Sequence, residues 1–290
     1  MSELPDKSVN LMVTSPPYNI GIDYGNKYVN GKVVGSKGVK YSDNLPEEQY
    51  RKMLKNVIDE TRRVLKDDGN MFLINYPKQN AYLRVKYLDR ACYEVSDYVW
   101  AYNTNVGHSP KRFTTAHRSI LHCRKTKYNK FYKDNVSVPY KNPTDKRILR
   151  NLANGSKGRM PYDWFYFDLV KNVSREKTFH ACQIPQKLSE MLINSCTLPN
   201  DNVLVLFGGS GSEVEICKIL KRQYISAEID EKYHKLILDR ISTGRIEEKY
   251  RLRLKRYEIK NIQVQLKILE SQKEYLIDKE KTKPRIKKDN

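Results

Sequence analysis

The chain lacks any apolar run long enough to cross a bilayer, and residues 1–10 lack the apolar centre of a signal peptide. Both absences argue against a membrane partner and make a cytoplasmic protein the expectation. Five cysteines (Cys92, Cys123, Cys182, Cys196, Cys217) are scattered, odd in number and never spaced as CxxC, and the five histidines do not cluster with them. A disulfide framework is thereby excluded and no metal is expected; the thiols read as reduced and structural. Internal repeats are absent too, which removes solenoids and propellers. Acidic residues are in short supply: 34 Asp and Glu face 54 Lys and Arg, for a formal charge of +20. A polyanion is the natural partner of such a surface, because each neutralised phosphate releases condensed counterions. The alternative is a lysine-rich surface whose charges are only solvated.

What is present suits one large domain, or one domain plus a small insertion, since 290 residues can bury a full core. Residues 8–14 (SVNLMVT) read as a short buried strand that must end at Ser15-Pro16-Pro17, because consecutive prolines cannot continue a sheet interior. Residues 18–40, rich in Gly, Asn and Lys, read as a long loop. A helix is expected over 46–65, with Met53, Leu54, Val57, Ile58, Val64 and Leu65 as its apolar stripe. A strand over 70–75, a helix over 78–90 and a strand over 93–102 follow. Further on come a helix over 186–196, a strand over 202–207, a glycine-rich turn, a helix to about 222 and a strand over 224–229. Strand alternating with helix predicts an α/β fold with a mostly parallel sheet. Between 125 and 177 the alternation fails, and this stretch reads as an insertion with its own role. From 246 the chain is charged and helical in pattern, and 281–290 reads as a disordered basic tail.

Two segments carry chemistry. Val203 to Leu206 run into Phe207-Gly208-Gly209-Ser210-Gly211-Ser212 and then a helix. Such a turn lets backbone approach a ligand and aims helix N-terminal N–H groups at it. Glu228, at the end of the next strand, is placed to grip ribose hydroxyls; the bland alternative is a tight turn without a ligand. The other segment, Ser15-Pro16-Pro17-Tyr18, sets a hydroxyl, two rigid prolines and an aromatic at a strand's C-terminal end, where doubly wound sheets bind ligands. Its loop carbonyls lack an internal partner on this reading and can accept from an amino group, while Tyr18 can stack on a planar base. The alternative is a plain Pro-Pro turn with a buried tyrosine.

Together the two segments resemble the S-adenosylmethionine-dependent DNA amino-methyltransferases in their β-type order, with the catalytic motif first and the cofactor motif last. Ser15-Pro16-Pro17-Tyr18 matches the family's (Asp/Asn/Ser)-Pro-Pro-(Tyr/Phe/Trp), Phe207-Gly208-Gly209-Ser210-Gly211 matches Phe-x-Gly-x-Gly, and Glu228 falls on the acid that follows. His180-Ala181-Cys182-Gln183-Ile184-Pro185 is similar to the segment before the cofactor strand. The resemblance covers roughly residues 4–242 and implies a Rossmann-like sheet with circularly permuted motifs. It divides the chain into a catalytic half (1–124), a target-recognition region (125–178), a cofactor-binding half (179–245) and a helical basic extension (246–290). Two departures stand out. Val205-Leu206 replaces the family's Asp-Pro, which removes one polar contact to the cofactor, and the chain begins almost at the catalytic strand, without the preceding strand that often carries a Gly-Asp pair.

The implied reaction transfers a methyl group from S-adenosylmethionine to an exocyclic amine of a base flipped out of duplex DNA. Hydrogen bonds from the amine to the Ser15 hydroxyl and the Pro16 carbonyl would free the nitrogen lone pair, with Tyr18 as the stacking platform. Ser at the first motif position leans toward cytosine N4, whereas Asn19 is also common in adenine-N6 enzymes. Lys111, Arg112 and Arg118 are candidate phosphate contacts; a solvated basic loop is the alternative for His108 to Arg112. The aromatic run Tyr162 to Phe167 reads as a small local core. A cognate restriction endonuclease and a homodimer are left open as partners. So are an RNA or protein methyltransferase and a degenerate, non-enzymatic DNA-binding subunit.

Overall fold

Val9–Thr14 (β1) is buried along its whole length, as a strand covered on both faces must be. The computed structural model describes residues 1–22, 26–29, 32–36, 43–103, 110–170, 174–247 and 250. Within the stretch expected to be loop, Asn26–Val29 (β2) and Lys32–Ser36 (β3) pair as an antiparallel hairpin, so 18–40 is partly ordered by its own backbone bonds. Glu47–Val64 (α1) has acids in its first turn and Arg62 and Arg63 in its last, matching both ends of the helix dipole. Tyr50, Leu54, Ile58 and Thr61 are buried at spacings of three and four, which gives the expected single apolar face.

The helix runs without a loop into Leu65–Asn75 (β4), a longer strand than expected. Pro77–Leu83 (α2), a π-helical turn over Arg84–Leu88 and Asp89–Ala91 (α3) make up the next helix. Then come Glu94–Ala101 (β5), His117–Arg124 (β6), Lys133–Val136 (α4), Lys146–Ala153 (α5) and Trp164–Tyr166 (β7). Gln186–Cys196 (α6), Asn202–Leu206 (β8), Ser212–Ile219 (α7), Gln223–Ala227 (β9) and Glu231–Thr243 (α8) complete the described elements.

Seven strands form one sheet in the order β7-β5-β6-β4-β1-β8-β9. The α/β architecture expected from the sequence is present, but the sheet is mixed. β1 lies parallel to β4 and β8, β8 to β9 and β5 to β7, whereas β6 runs antiparallel to both β4 and β5. Among the described residues no helix lies between β5 and β6, so the chain turns back beside the strand it has left instead of crossing over. The inserted stretch also joins this sheet. β7 extends it at the β5 edge, with Phe165 and Phe167 against the main core and Trp164 and Tyr166 exposed, so the aromatic run is not a separate local core.

One face of the central strands packs Leu11, Val13, Phe72 and Val203 with Leu188 and Leu192 of α6. The other packs Val9, Met12, Leu73 and Leu204 with Leu54 and Ile58 of α1. A single compact unit spans Met1–Arg251; of the extension expected over 246–290, only Ile246, Glu247 and Tyr250 fall among the described residues. Among those residues no helix is long and apolar enough to cross a membrane, and no His, Cys, Asp and Glu group has the makings of a metal site.

α8 was not expected from the sequence. Its Arg240, 1% exposed, binds the Glu215 carboxylate of α7 through Nε and Nη2 at 2.6 Å and donates from Nη1 to the Ser210 carbonyl at 2.7 Å. Arg240→Ala strands a buried carboxylate, and we expect a loss of about 3–5 kcal/mol in urea unfolding; an unchanged midpoint would refute this role for the pair.

Candidate active site

Connections diverge at the middle of the sheet. From β1 the chain crosses through α1 to β4 on one side, while β8 leads through α7 to β9 on the other. Between β1 and β8 lies the topological switch point, where open α/β sheets bind ligands beyond the strands' carboxyl ends. Leu11 pairs with Val203 and Met12 with Leu204, and the Thr14 hydroxyl donates to the Leu206 carbonyl. The loops starting at Ser15 and Phe207 therefore leave the sheet side by side. They share a cleft of about 440 Å³ lined by Ser15 to Tyr18, Phe207 to Ser210 and Glu228, within the range of small-molecule sites. His180, Cys182 and Ile184 of the segment before the cofactor strand line it too, as does the apolar group Met53, Val57 and Ile229.

The prolyl loop is held from beneath by residues the sequence reading passed over. Asp43, 4% exposed, accepts from the backbone N–H groups of Asn19, Ile20 and Ile22 at 2.8, 3.1 and 2.8 Å. Asn19, at φ +56°, donates its amide to the Leu45 carbonyl and accepts from the Leu45 N–H. The Tyr50 hydroxyl donates to the Pro17 carbonyl at 2.8 Å and accepts from the Asn75 amide at 3.0 Å. The expectation that both prolyl carbonyls lack an internal partner therefore fails for Pro17. No hydrogen bond reaches the Pro16 carbonyl among the described residues. The Ser15 hydroxyl lies 2.7 Å from the Tyr18 hydroxyl. An Asp some 25 residues after a Pro-Pro-Tyr-Asn segment is the one signal that could have pointed to this support.

Tyr18 is 3% exposed, edge-on to Tyr76 at 5.2 Å between ring centres, with burial pushing its hydroxyl to a higher pKa. It forms a wall of the cleft rather than an open platform. Arg118 corrects a second expectation. It is 7% exposed, lies 3.8 Å over the Tyr76 ring, and donates to the Tyr76 and Tyr102 hydroxyls. With Tyr18 also 5.3 Å from it, this guanidinium is held among three tyrosines, braces the loop and does not face a phosphate. Lys111 and Arg112 are exposed on the segment between β5 and β6, at the same end of the sheet as Ser15, while His108 and Ser109 lie outside the described residues.

The glycine turn is locked by its own contacts. Phe207 (φ +56°) and Gly209 (φ +51°) are both left-handed, a conformation that costs a non-glycine residue about 1–2 kcal/mol. A Cβ on Gly209 would come within 2.8 Å of His180 Nε2. The Gly209 N–H donates to Glu228 at 2.7 Å, and the other Glu228 oxygen accepts from the Asp230 N–H at 2.9 Å, so this carboxylate is aimed before any ligand arrives. Gly211 caps α7, and Ser210 and Ser212 exchange a hydroxyl bond at 3.1 Å. Leu206, where the family has Pro, offers the cleft only an apolar side chain. His180 is buried against Tyr233; burial and the Lys177 charge push its pKa down to about 3, so it is neutral at pH 7. A planar aromatic ring between Met53, Val57, Phe207 and Ile229, with hydroxyls at Glu228, is what these walls suit, and a nucleoside has that shape.

A family model for N6 and N4 methyltransferases, described as DNA methylase, matches residues 9–239. The Type II methyltransferase M.BglII of Bacillus subtilis is 31% identical over 80% of this chain, which spans 63% of that relative. M.HpaI of Haemophilus parainfluenzae, another Type II methyltransferase, is 27% identical over 84% of this chain and 71% of its own length. Among solved structures, the PvuII DNA methyltransferase (cytosine-N4-specific) superposes with a TM-score of 0.55 at 20% identity, covering 84% of this chain and 89% of that one.

Asp43→Ala leaves three backbone donors of the prolyl loop without their acceptor, and a loss of about 1–3 kcal/mol is expected from urea unfolding. A variant as stable as the parent would show that Asp43 does not hold the loop.

Proposed function

The chain belongs to the DNA methylase family of N6 and N4 methyltransferases, and we propose that it moves a methyl group from S-adenosylmethionine to the exocyclic amine of a base in duplex DNA, with cytosine N4 favoured. The observation that carries this reading is the shared cleft, with an amine-accepting loop on one wall and a glycine turn with an oriented acid on the other. Phe207 to Ser212 and Glu228 would hold the donor, Glu228 through the ribose hydroxyls. When bound, the donor supplies an electrophilic methyl on a sulfonium.

The protein's own part is orientation and charge. A flipped base presents its amino N–H groups to the Pro16 carbonyl and the Ser15 hydroxyl, two acceptors that draw the nitrogen toward a pyramidal shape and stabilise positive charge growing on it. Tyr50 and Asp43 fix the loop that carries both acceptors, so little reorganisation is left for the moment of reaction. The Asn19 amide bonds the Leu45 backbone, so the preference for cytosine is carried by Ser15, the motif residue whose hydroxyl lines the cleft.

Recognition would fall to residues 125–178, where Lys141 and Arg159 lie over the Tyr162 ring that stacks on Trp164 of β7, and the loop bearing Lys111 and Arg112 would add phosphate contacts from the substrate side. Since two relatives are Type II methyltransferases, modification paired with a restriction endonuclease is the corresponding role.

Incubation with genomic DNA and the donor, followed by mapping that separates 4-methylcytosine from 6-methyladenine, tests the proposal. 4-Methylcytosine at a defined sequence is expected, 6-methyladenine would overturn the base assignment, and unmodified DNA would overturn the activity. Ser15→Ala should slow transfer about 10²- to 10³-fold with donor affinity unchanged. Undiminished transfer would remove Ser15 from the reaction.

A further inference from the structure

We propose that the Glu213 carboxyl recognises the positive charge of the methyl donor inside the cleft. This rests on the cleft being the donor site. Glu213 is the second residue of α7, 7% exposed, and lines the cleft beside Gly209 and Ser210. The nearest guanidinium is engaged elsewhere: Arg240 holds Glu215 and the Ser210 carbonyl, and Glu215 also accepts from the Gln186 amide. In a chain with 20 surplus positive charges, Glu213 forms no ion pair among the described residues. A buried acid left without a cation at the wall of a cleft is destabilising unless a cation arrives there.

The remaining groups around it do not fill that role. Glu228 is oriented by two backbone N–H groups, and Asp230 caps α8 through Lys232 and Tyr233. His180 is neutral at pH 7, the neighbouring Cys217 thiol is pushed up to about 12 chiefly by burial, Tyr18, Cys182 and Tyr233 are further titratable groups of the lining, and the ammonium of Met1, which also lines it, lies close enough to Glu60 to lower its pKa. Burial raises the Glu213 pKa to about 7, against the pull of its own backbone N–H and of Arg240. The empty protein therefore holds a proton on Glu213 far more readily than an exposed carboxyl does. S-adenosylmethionine brings a sulfonium and an ammonium, and either charge favours the carboxylate. Arrival of the donor thus releases the proton, and affinity rises as pH passes upward through 7.

Calorimetric titration of the full chain with S-adenosylmethionine, at pH 7 in buffers of different ionisation enthalpy, reads this directly. A measurable fraction of a proton should leave per donor bound at pH 7, and a smaller fraction at pH 9. A parallel titration with S-adenosylhomocysteine, which keeps the ammonium and lacks the sulfonium, identifies which charge is recognised. Equal release points to the ammonium and lost release to the sulfonium. Glu213→Gln should weaken donor binding at least tenfold and abolish the Glu213 share of proton release, with its fold checked by thermal melting. Donor binding without proton exchange in the unaltered chain overturns the inference alone. No donor binding at all overturns the reading of the cleft as well.

Discussion

The site depends on the pairing of β1 with β8, two strands whose facing residues lie 192 positions apart in the chain. Only Leu11 with Val203 and Met12 with Leu204 form the ladder itself. Side chains extend it at both ends: the Asn10 carbonyl oxygen accepts from the Asn202 N–H, the Asn202 amide donates to the Ser8 carbonyl, and Thr14 closes the far end on Leu206. Because both strands are buried on both faces, a slip of one residue would turn each apolar side chain to the wrong layer. Register is therefore set by burial and by these asparagine clasps, and register decides whether Ser15 stands opposite Phe207. Contacts of such sequence separation close late and slowly, so the site is among the last features that folding completes.

Much of this was legible in the sequence because the signals were local. α6 begins and ends where its apolar spacing said, and β8 runs into its glycines as expected. β6 escaped because its interior is polar by composition. His122 lies buried between the Asn70 carbonyl oxygen and the Tyr98 hydroxyl, and Ser119 is satisfied by Asp97 and Asn80, so a buried strand reads as His-Arg-Ser-Ile-Leu-His-Cys-Arg. Only cross-strand partners, invisible along the chain, make it an interior strand. α8 did carry signals, an Asp230 cap and a left-handed Gly244 at its end. The role of Arg118 could not be read, since an arginine near a motif looks the same whether it meets phosphate or three tyrosines.

Charge is sorted by depth. The chain as a whole is strongly basic, yet the cleft is walled by Glu213, Glu228 and Asp230 among apolar side chains and contains no lysine or arginine in its lining. A polyanion attracted to the outside and a cation drawn to the inside are thus kept from competing for one surface. The two buried guanidiniums near the loops act as braces: Arg240 is paired with the Glu215 carboxylate, and Arg118 donates to the Tyr76 and Tyr102 hydroxyls.

The bond between the Ser15 and Tyr18 hydroxyls gives the empty site its last property. The Ser15 oxygen has two acceptor sites, so a base amine can donate to it while the bond to the Tyr18 hydroxyl is kept. Tyr18, buried and edge-on to Tyr76, must then turn or shift for its ring face to meet the base. The loop beneath is fixed by Asp43, Asn19 and Tyr50, so that movement is confined to one side chain rather than spread through the backbone. A rigid loop with one adjustable tyrosine could admit a flipped base while the Pro16 carbonyl keeps its place, and accurate placement of that carbonyl is what the proposed transfer would require.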